Sequence, residues 1–247
     1  MSLKLHQQHR YRSYDDFLNN TYCDDHGKAV YKVHTPFALR GTTTISKALD
    51  YQPTVSPSPP SASHPSQAGD DDDVASLDSG SRRRSLSIHD SEEQPRETNP
   101  HADIGEAGAD SSSQNFEYTA QIDWRIIRSP RIRFANGRYS GQEVLASDMF
   151  RKEGWGWWGR HRVFTGEDGK EYKWRLRSTY CELSINDTGK TPVAKYHAKA
   201  FSKDKPFLEI FPEGLHMLDE IFVTFMYVEQ LRRVRETSST SAAIAAS

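Results

Sequence analysis

Cysteine is nearly absent: Cys23 and Cys181 are the only two in 247 residues. Two widely separated cysteines cannot make a disulfide framework, and they read as reduced, buried small side chains. No apolar run approaches the roughly 20 residues a helix needs to cross a bilayer. The N-terminus (Met1, Ser2, Leu3, Lys4, Leu5, His6) carries no signal-peptide stretch. Ser2 and the terminal Ala246 and Ser247 fit no lipidation motif. The expectation is an intracellular chain, cytoplasmic or peripheral to a membrane, with the nucleus as an alternative.

Catalytic patterns are also missing. The 10 histidines stand without metal-ligand spacing, and there is no HExxH, paired CxxC, GxSxG, Walker loop or GxGxxG. Asp15-Asp16 and Asp24-Asp25 read as solvated turn acids. The run Asp70 to Asp73 lacks the glycine and bidentate glutamate of a calcium loop. No catalytic residue, metal or cofactor is assigned, and the chain is not expected to be an enzyme.

After Tyr51 no aromatic residue occurs until Phe116. Residues 51–114 are rich in Pro, Ser, Asp and Gly, and hold 4 basic and 12 acidic residues. Such a segment buries too little apolar surface to offset its ordering entropy. It is expected to be an acidic disordered insertion within one domain formed by residues 15–50 and 115–236. Residues 1–14 and 237–247 are expected to be flexible ends. Within the insertion, Arg82-Arg83-Arg84 precede Ser85 and Ser87, a weak phosphorylation pattern that would suit an adaptor arm for protein partners.

Outside the insertion the sequence reads as strands and turns. Phe116, Tyr118, Ala120, Ile122 and Trp124 recur at period two, as do Tyr172, Trp174 and Leu176. Asp24 to Gly27, Asn136-Gly137, Glu167 to Gly169 and Asp187 to Gly189 mark turns. One helix is expected over about Leu215 to Arg235. Its middle, Ile221 to Val228, is apolar on nearly every side and so should be surrounded by protein. Many antiparallel strands followed by such a helix point to a closed β-barrel enclosing it.

Several of these segments resemble an uncharacterised fungal family with a tubby-like fold. They are the hairpin around Gly27 leading to Tyr31 and Thr35, Thr42-Thr43-Thr44-Ile45, Ile122 and Trp124, and Phe164 with Asp168-Gly169 and Tyr172-Lys173-Trp174. Leu218-Asp219-Glu220-Ile221 through Glu229 to Arg232-Arg233 complete the set. More distantly, the chain is similar to the tubby C-terminal, LURP-one-related and phospholipid-scramblase-like superfamily. That resemblance implies a closed barrel around a hydrophobic C-terminal helix, and an association with phosphoinositide or membrane binding and with regulation.

Residues 124–177 hold 13 basic and 6 acidic side chains. Lys173, Arg175 and Arg177 share one strand face, with Arg160 and Arg162 nearby in sequence. Anionic lipid is the first ligand this suggests, nucleic-acid backbone a lesser one, and a solvated, internally neutralised face the plain alternative. Trp155, Trp157 and Trp158 stand among Gly154, Gly156 and Gly159. They suit either a membrane-interface loop or a bulged strand packed on the barrel. The leading expectation is a non-enzymatic module that binds anionic lipid through these residues, followed by a protein–protein adaptor and then a nucleic-acid binder.

Overall fold

Alternation of apolar and polar residues marks out the strands, and the computed structural model shows thirteen. It describes residues 2–8, 17–36, 41–52, 115–125, 128–198 and 206–245. Residues 53–114 of the expected insertion, with Ser85 and Ser87, lie outside the described residues, as do residues 9–14 of the expected N-terminal end. The described residues belong to one unit assembled from both sides of residues 56–111.

The strands are β1 (Leu3–Gln7), β2 (Asn20–Cys23), β3 (Ala29–His34), β4 (Thr42–Ala48), β5 (Phe116–Asp123), β6 (Arg131–Phe134) and β7 (Glu143–Leu145). After one helical turn, α1 (Ala146–Met149), follow β8 (Arg151–Gly156), β9 (Gly159–Thr165), β10 (Glu171–Leu176), β11 (Cys181–Ile185), β12 (Pro192–His197) and β13 (Phe207–Ile210). A 3-10 segment, Pro212–Met217, leads into α2 (Leu218–Ala245). All the strands lie in one sheet of order β7-β6-β5-β4-β3-β2-β1-β13-β12-β11-β10-β9-β8. Thus two six-stranded meanders, β2–β7 and β8–β13, are joined through β1, which pairs antiparallel with both β2 and β13.

Two terminal expectations are corrected here. Leu3 to Gln7 is not a loose end. Leu5 and Gln7 are fully buried and share an inward face, with Lys4 and His6 on the other. At the other terminus α2 runs ten residues past Arg235 to Ala245. The hydroxyls of Thr237, Ser238 and Ser241 donate to the carbonyls of Arg233, Val234 and Thr237 one turn earlier, so these polar side chains find partners within the helix.

The closed barrel is corrected to an open sheet. β7 and β8 are its two ends and share no ladder. Between them α1 and Phe150 carry the chain across, with Ala146, Met149 and Phe150 buried. The Phe150 ring stacks on Tyr227 at 4.8 Å, so side chains rather than backbone pairing fill this gap.

Helix α2 lies against the concave side. From Glu220 to Gln230 every residue is buried. Phe222 stacks on Tyr31 of β3 at 4.0 Å and meets Tyr22 of β2 edge-on. Phe225 touches Phe17, Trp174 of β10 and Tyr196 of β12. Trp174 donates its Nε1–H to Thr224 Oγ1 at 3.0 Å, so both buried polar groups are paired. One helix thus collects apolar side chains from both meanders, and the expected buried helix is what organises the core.

The expected face of β5 holds only in part. Ala120 and Ile122 are core, but register shifts between Ile45 and Ser46, leaving Thr119 as an extra residue on β5. That bulge reverses the phase of the strand, and Tyr118 is 37% exposed.

Glu220, at the start of α2, accepts from the Glu167 backbone N–H at 3.1 Å through Oε2, while its buried Oε1 has no partner among the described residues. Burial, opposed by that hydrogen bond and reinforced by the charges of Glu167 and Asp168, raises its pKa to about 7. Between its ordinary value and about 7 the folded chain holds a proton that the unfolded chain has released. Stability therefore falls as pH rises through this window, by about 3 kcal/mol in total. Glu220→Gln keeps an acceptor for the Glu167 N–H and is expected to stabilise by that amount at pH 8 and hardly at all near pH 4. Urea unfolding at the two pH values measures the difference.

Candidate functional site

Strand register decides which of the basic residues can act together. Cross-strand partners project to the same side of a sheet. Lys173 pairs with Val163, and Val163 with Arg151, whereas Trp174 pairs with Arg162, and Arg162 with Lys152. Lys173, Arg175 and Arg177 therefore face outward, while Arg162 and Lys152 lie on the concave side with Trp174. The single surface expected of all five basic residues is really two.

The outward face is an ion-pair ladder. Lys173 Nζ lies 2.7 Å from Glu153 Oε1 and is 14% exposed. Arg175 donates to Ser184 Oγ at 2.9 Å and lies 3.9 Å from Glu182, which also takes Arg177 at 2.6 Å. Arg151 joins Glu153 and Glu171. The hydrogen bond from Lys173 holds the Glu153 carboxyl below its ordinary range. Four cations are thus answered by three carboxylates, which leaves little field for an anionic surface.

The concave side differs. Beyond the end of the apolar core, β8, β9 and the last turns of α2 enclose an open groove of about 520 Å³. Lys152, Arg160, Arg162 and Arg235 line it together with Trp155, Trp157 and Trp158. A bulge makes this possible. Register shifts between Glu153 and Trp155, with Gly154 as the extra residue at φ +58°. Without it Lys152 and Trp155, three residues apart, would face opposite sides; with it Trp155 pairs with Arg160 on the groove side. Trp157 and Trp158 form the two-residue turn between Gly156 and Gly159.

Trp155 is 78% exposed and Trp157 75%. The alternative in which the tryptophans pack on the sheet fails for these two. It holds for Trp158, which is half-buried against the core and donates its Nε1–H to the Ser178 carbonyl at 2.6 Å. Arg160 is exposed and donates to the Lys152 carbonyl at 2.9 Å. Arg162 is only 3% exposed.

Arg235 was not among the residues the sequence offered as a site; its charge suits a helix C-terminus, and that reading hides it. Its guanidinium donates to the Trp158 carbonyl. A Cβ at Gly159, where φ is +97°, would sit 2.5 Å from Arg235 Nη1, so both the backbone conformation and the close approach call for glycine there. On the outward side His161, paired with Glu153, accepts the Leu176 N–H through Nδ1 at 3.3 Å, and burial and the charges of Lys173, Arg175 and Arg177 hold it below its ordinary pKa.

Deeper in the same end of the molecule Glu229, fully buried, binds Arg232 at 2.8 Å and Arg233 at 2.9 Å. Arg233 also donates to the Tyr196 hydroxyl at 3.1 Å. This cluster is internally matched and faces the core. Cys23 and Cys181 are both buried, and burial pushes the Cys181 thiol well above its ordinary value.

The described part of the chain is thus an open antiparallel sheet folded about one buried helix, with a tryptophan hairpin over a basic groove at one edge. Residues 15–234 match the model of a family of unknown function, DUF6593, and the chain belongs to that family. No curated protein and no solved structure matches it.

Proposed function

We propose that this chain is a non-enzymatic binding module that engages an anionic membrane surface through the β8–β9 hairpin. The observation that carries this reading is the exposure of Trp155 and Trp157 at the hairpin tip beside Lys152 and Arg160. Indole rings favour the headgroup region, where an apolar body and a polar N–H are both accommodated. Each cation near an anionic leaflet adds about 1 kcal/mol, within a Debye length. Among the described residues no helix is long and apolar enough to cross a membrane, so in this reading the module lies on the surface. The resemblance to tubby-like proteins points the same way. The outward face of Lys173, Arg175 and Arg177 has a lesser part, because its charges are already paired.

Sedimentation with phosphatidylserine and neutral vesicles across a salt series tests the proposal. The wild-type chain is expected to prefer the anionic vesicles and to keep a salt-resistant fraction. Trp155→Ala/Trp157→Ala should weaken binding about tenfold or more, and Arg177→Ala by less than about twofold. Equal binding to both vesicle types, or no loss in the tryptophan variant, would overturn it.

A further inference from the structure

The groove beneath the hairpin contains charge that the described residues do not answer. Among the described residues none of Lys152, Arg160, Arg162 and Arg235 makes an ion pair, although ion pairs occupy the cations of the outward face a strand away. Arg162 is a buried guanidinium, 3% exposed. Its hydrogen bonds run from Nη1 to the carbonyls of Arg160 and His161, and those of Arg235 from Nη1 to Trp158. Each guanidinium has five donors, more than these bonds use. Burial and the charge of Arg162 both push Arg235 below its ordinary pKa, which marks the two as close, like-charged neighbours. A buried cation without a counter-charge is costly, and a bound anion is the usual remedy.

We propose that Arg162 and Arg235, flanked by Lys152 and Arg160, form a site for a phosphate monoester. A planar carboxylate satisfies one guanidinium fork with one charge. A phosphate monoester offers three terminal oxygens in a tetrahedron and close to two charges, so it can bridge two guanidiniums and accept from the lysine as well. Trp155, Trp157 and Trp158 supply an apolar wall for whatever carries the phosphate. Gly159 admits Arg235 to the site from the helix side. The proposal deepens the membrane reading and rests on the same groove, with the phosphate coming from a lipid headgroup or from a free phosphate ester.

The test is calorimetric titration of the full chain with glycerol phosphate, inorganic phosphate and acetate, alongside vesicles of phosphatidic acid or phosphatidylserine at equal surface charge. Glycerol phosphate is expected to bind the wild type. Arg235→Gln should weaken it about tenfold or more, and Arg235→Lys, which keeps the charge and loses the fork, by less. Wild type should prefer phosphatidic acid, and Arg235→Gln should lose that preference while keeping tryptophan-dependent binding to phosphatidylserine. Soluble-ester binding without vesicle binding would uphold the site, assign it to a free phosphate ester and sink the membrane reading. Vesicle binding with no headgroup preference and no soluble-ester binding would overturn the site and leave the membrane reading standing. Acetate binding as tight as phosphate, or equal phosphate binding by Arg235→Gln, would also overturn it.

Discussion

A Phe222→Asp chain is expected to lose its cooperative fold. The Phe222 ring is fully buried between Tyr31 and Tyr22, in the middle of the helix on which both meanders converge. The substitution removes roughly 1.5–3 kcal/mol of apolar burial and places a carboxylate among buried aromatic rings. Together these exceed about 5 kcal/mol, a large part of the stability of an ordinary domain. Expression in inclusion bodies, or a thermal scan without a cooperative transition, is the predicted result. A soluble variant melting within about 5 °C of wild type would show that α2 is a surface element.

The second large effect is expected at Glu229. This carboxylate, with no exposed surface, holds both Arg232 and Arg233, and it keeps Arg232 charged against the cost of burial. Glu229→Ala removes the carboxylate that both guanidiniums share and should cost about 3–5 kcal/mol in urea unfolding. Replacing all three charges in one chain, as Glu229→Leu/Arg232→Leu/Arg233→Met, should recover most of that loss, because the penalty lies in the unpaired charge. If the triple variant is as unstable as Glu229→Ala, the cluster contributes through packing instead.

Much of this architecture is legible in the sequence where the local pattern and the tertiary contacts agree. Tyr172, Trp174 and Leu176 alternate with charged residues and face the core as expected, because β10 has neighbours on both sides and a helix beneath it. Ile221 to Val228, apolar all round, is buried all round. Where the reading fails, the missing information is relational. Nothing in Phe116 to Trp124 announces that β4 pairs with a skipped residue, and so Tyr118 turns outward. Closure of a sheet depends on whether its first and last strands meet, and the composition of β7 and β8 is silent on that.

The site was half legible for the same reason. Trp155 and Trp157 are conspicuous among their glycines, and both are exposed. Lys173 and Arg162 look equivalent as basic residues on adjacent strands, yet they project to opposite sides of the sheet. Arg235 reaches the hairpin from 77 residues away in sequence, and only the packing of α2 brings it there.

The account turns on whether the hairpin itself enters the lipid interface. Tryptophan emission in the presence of anionic vesicles with brominated acyl chains tests this directly, since Trp174 is wholly buried and out of reach of the quencher. Wild type should be quenched, and Trp155→Ala/Trp157→Ala should lose most of that quenching. Binding to the vesicles with no quenching, or equal quenching in both chains, would contradict it.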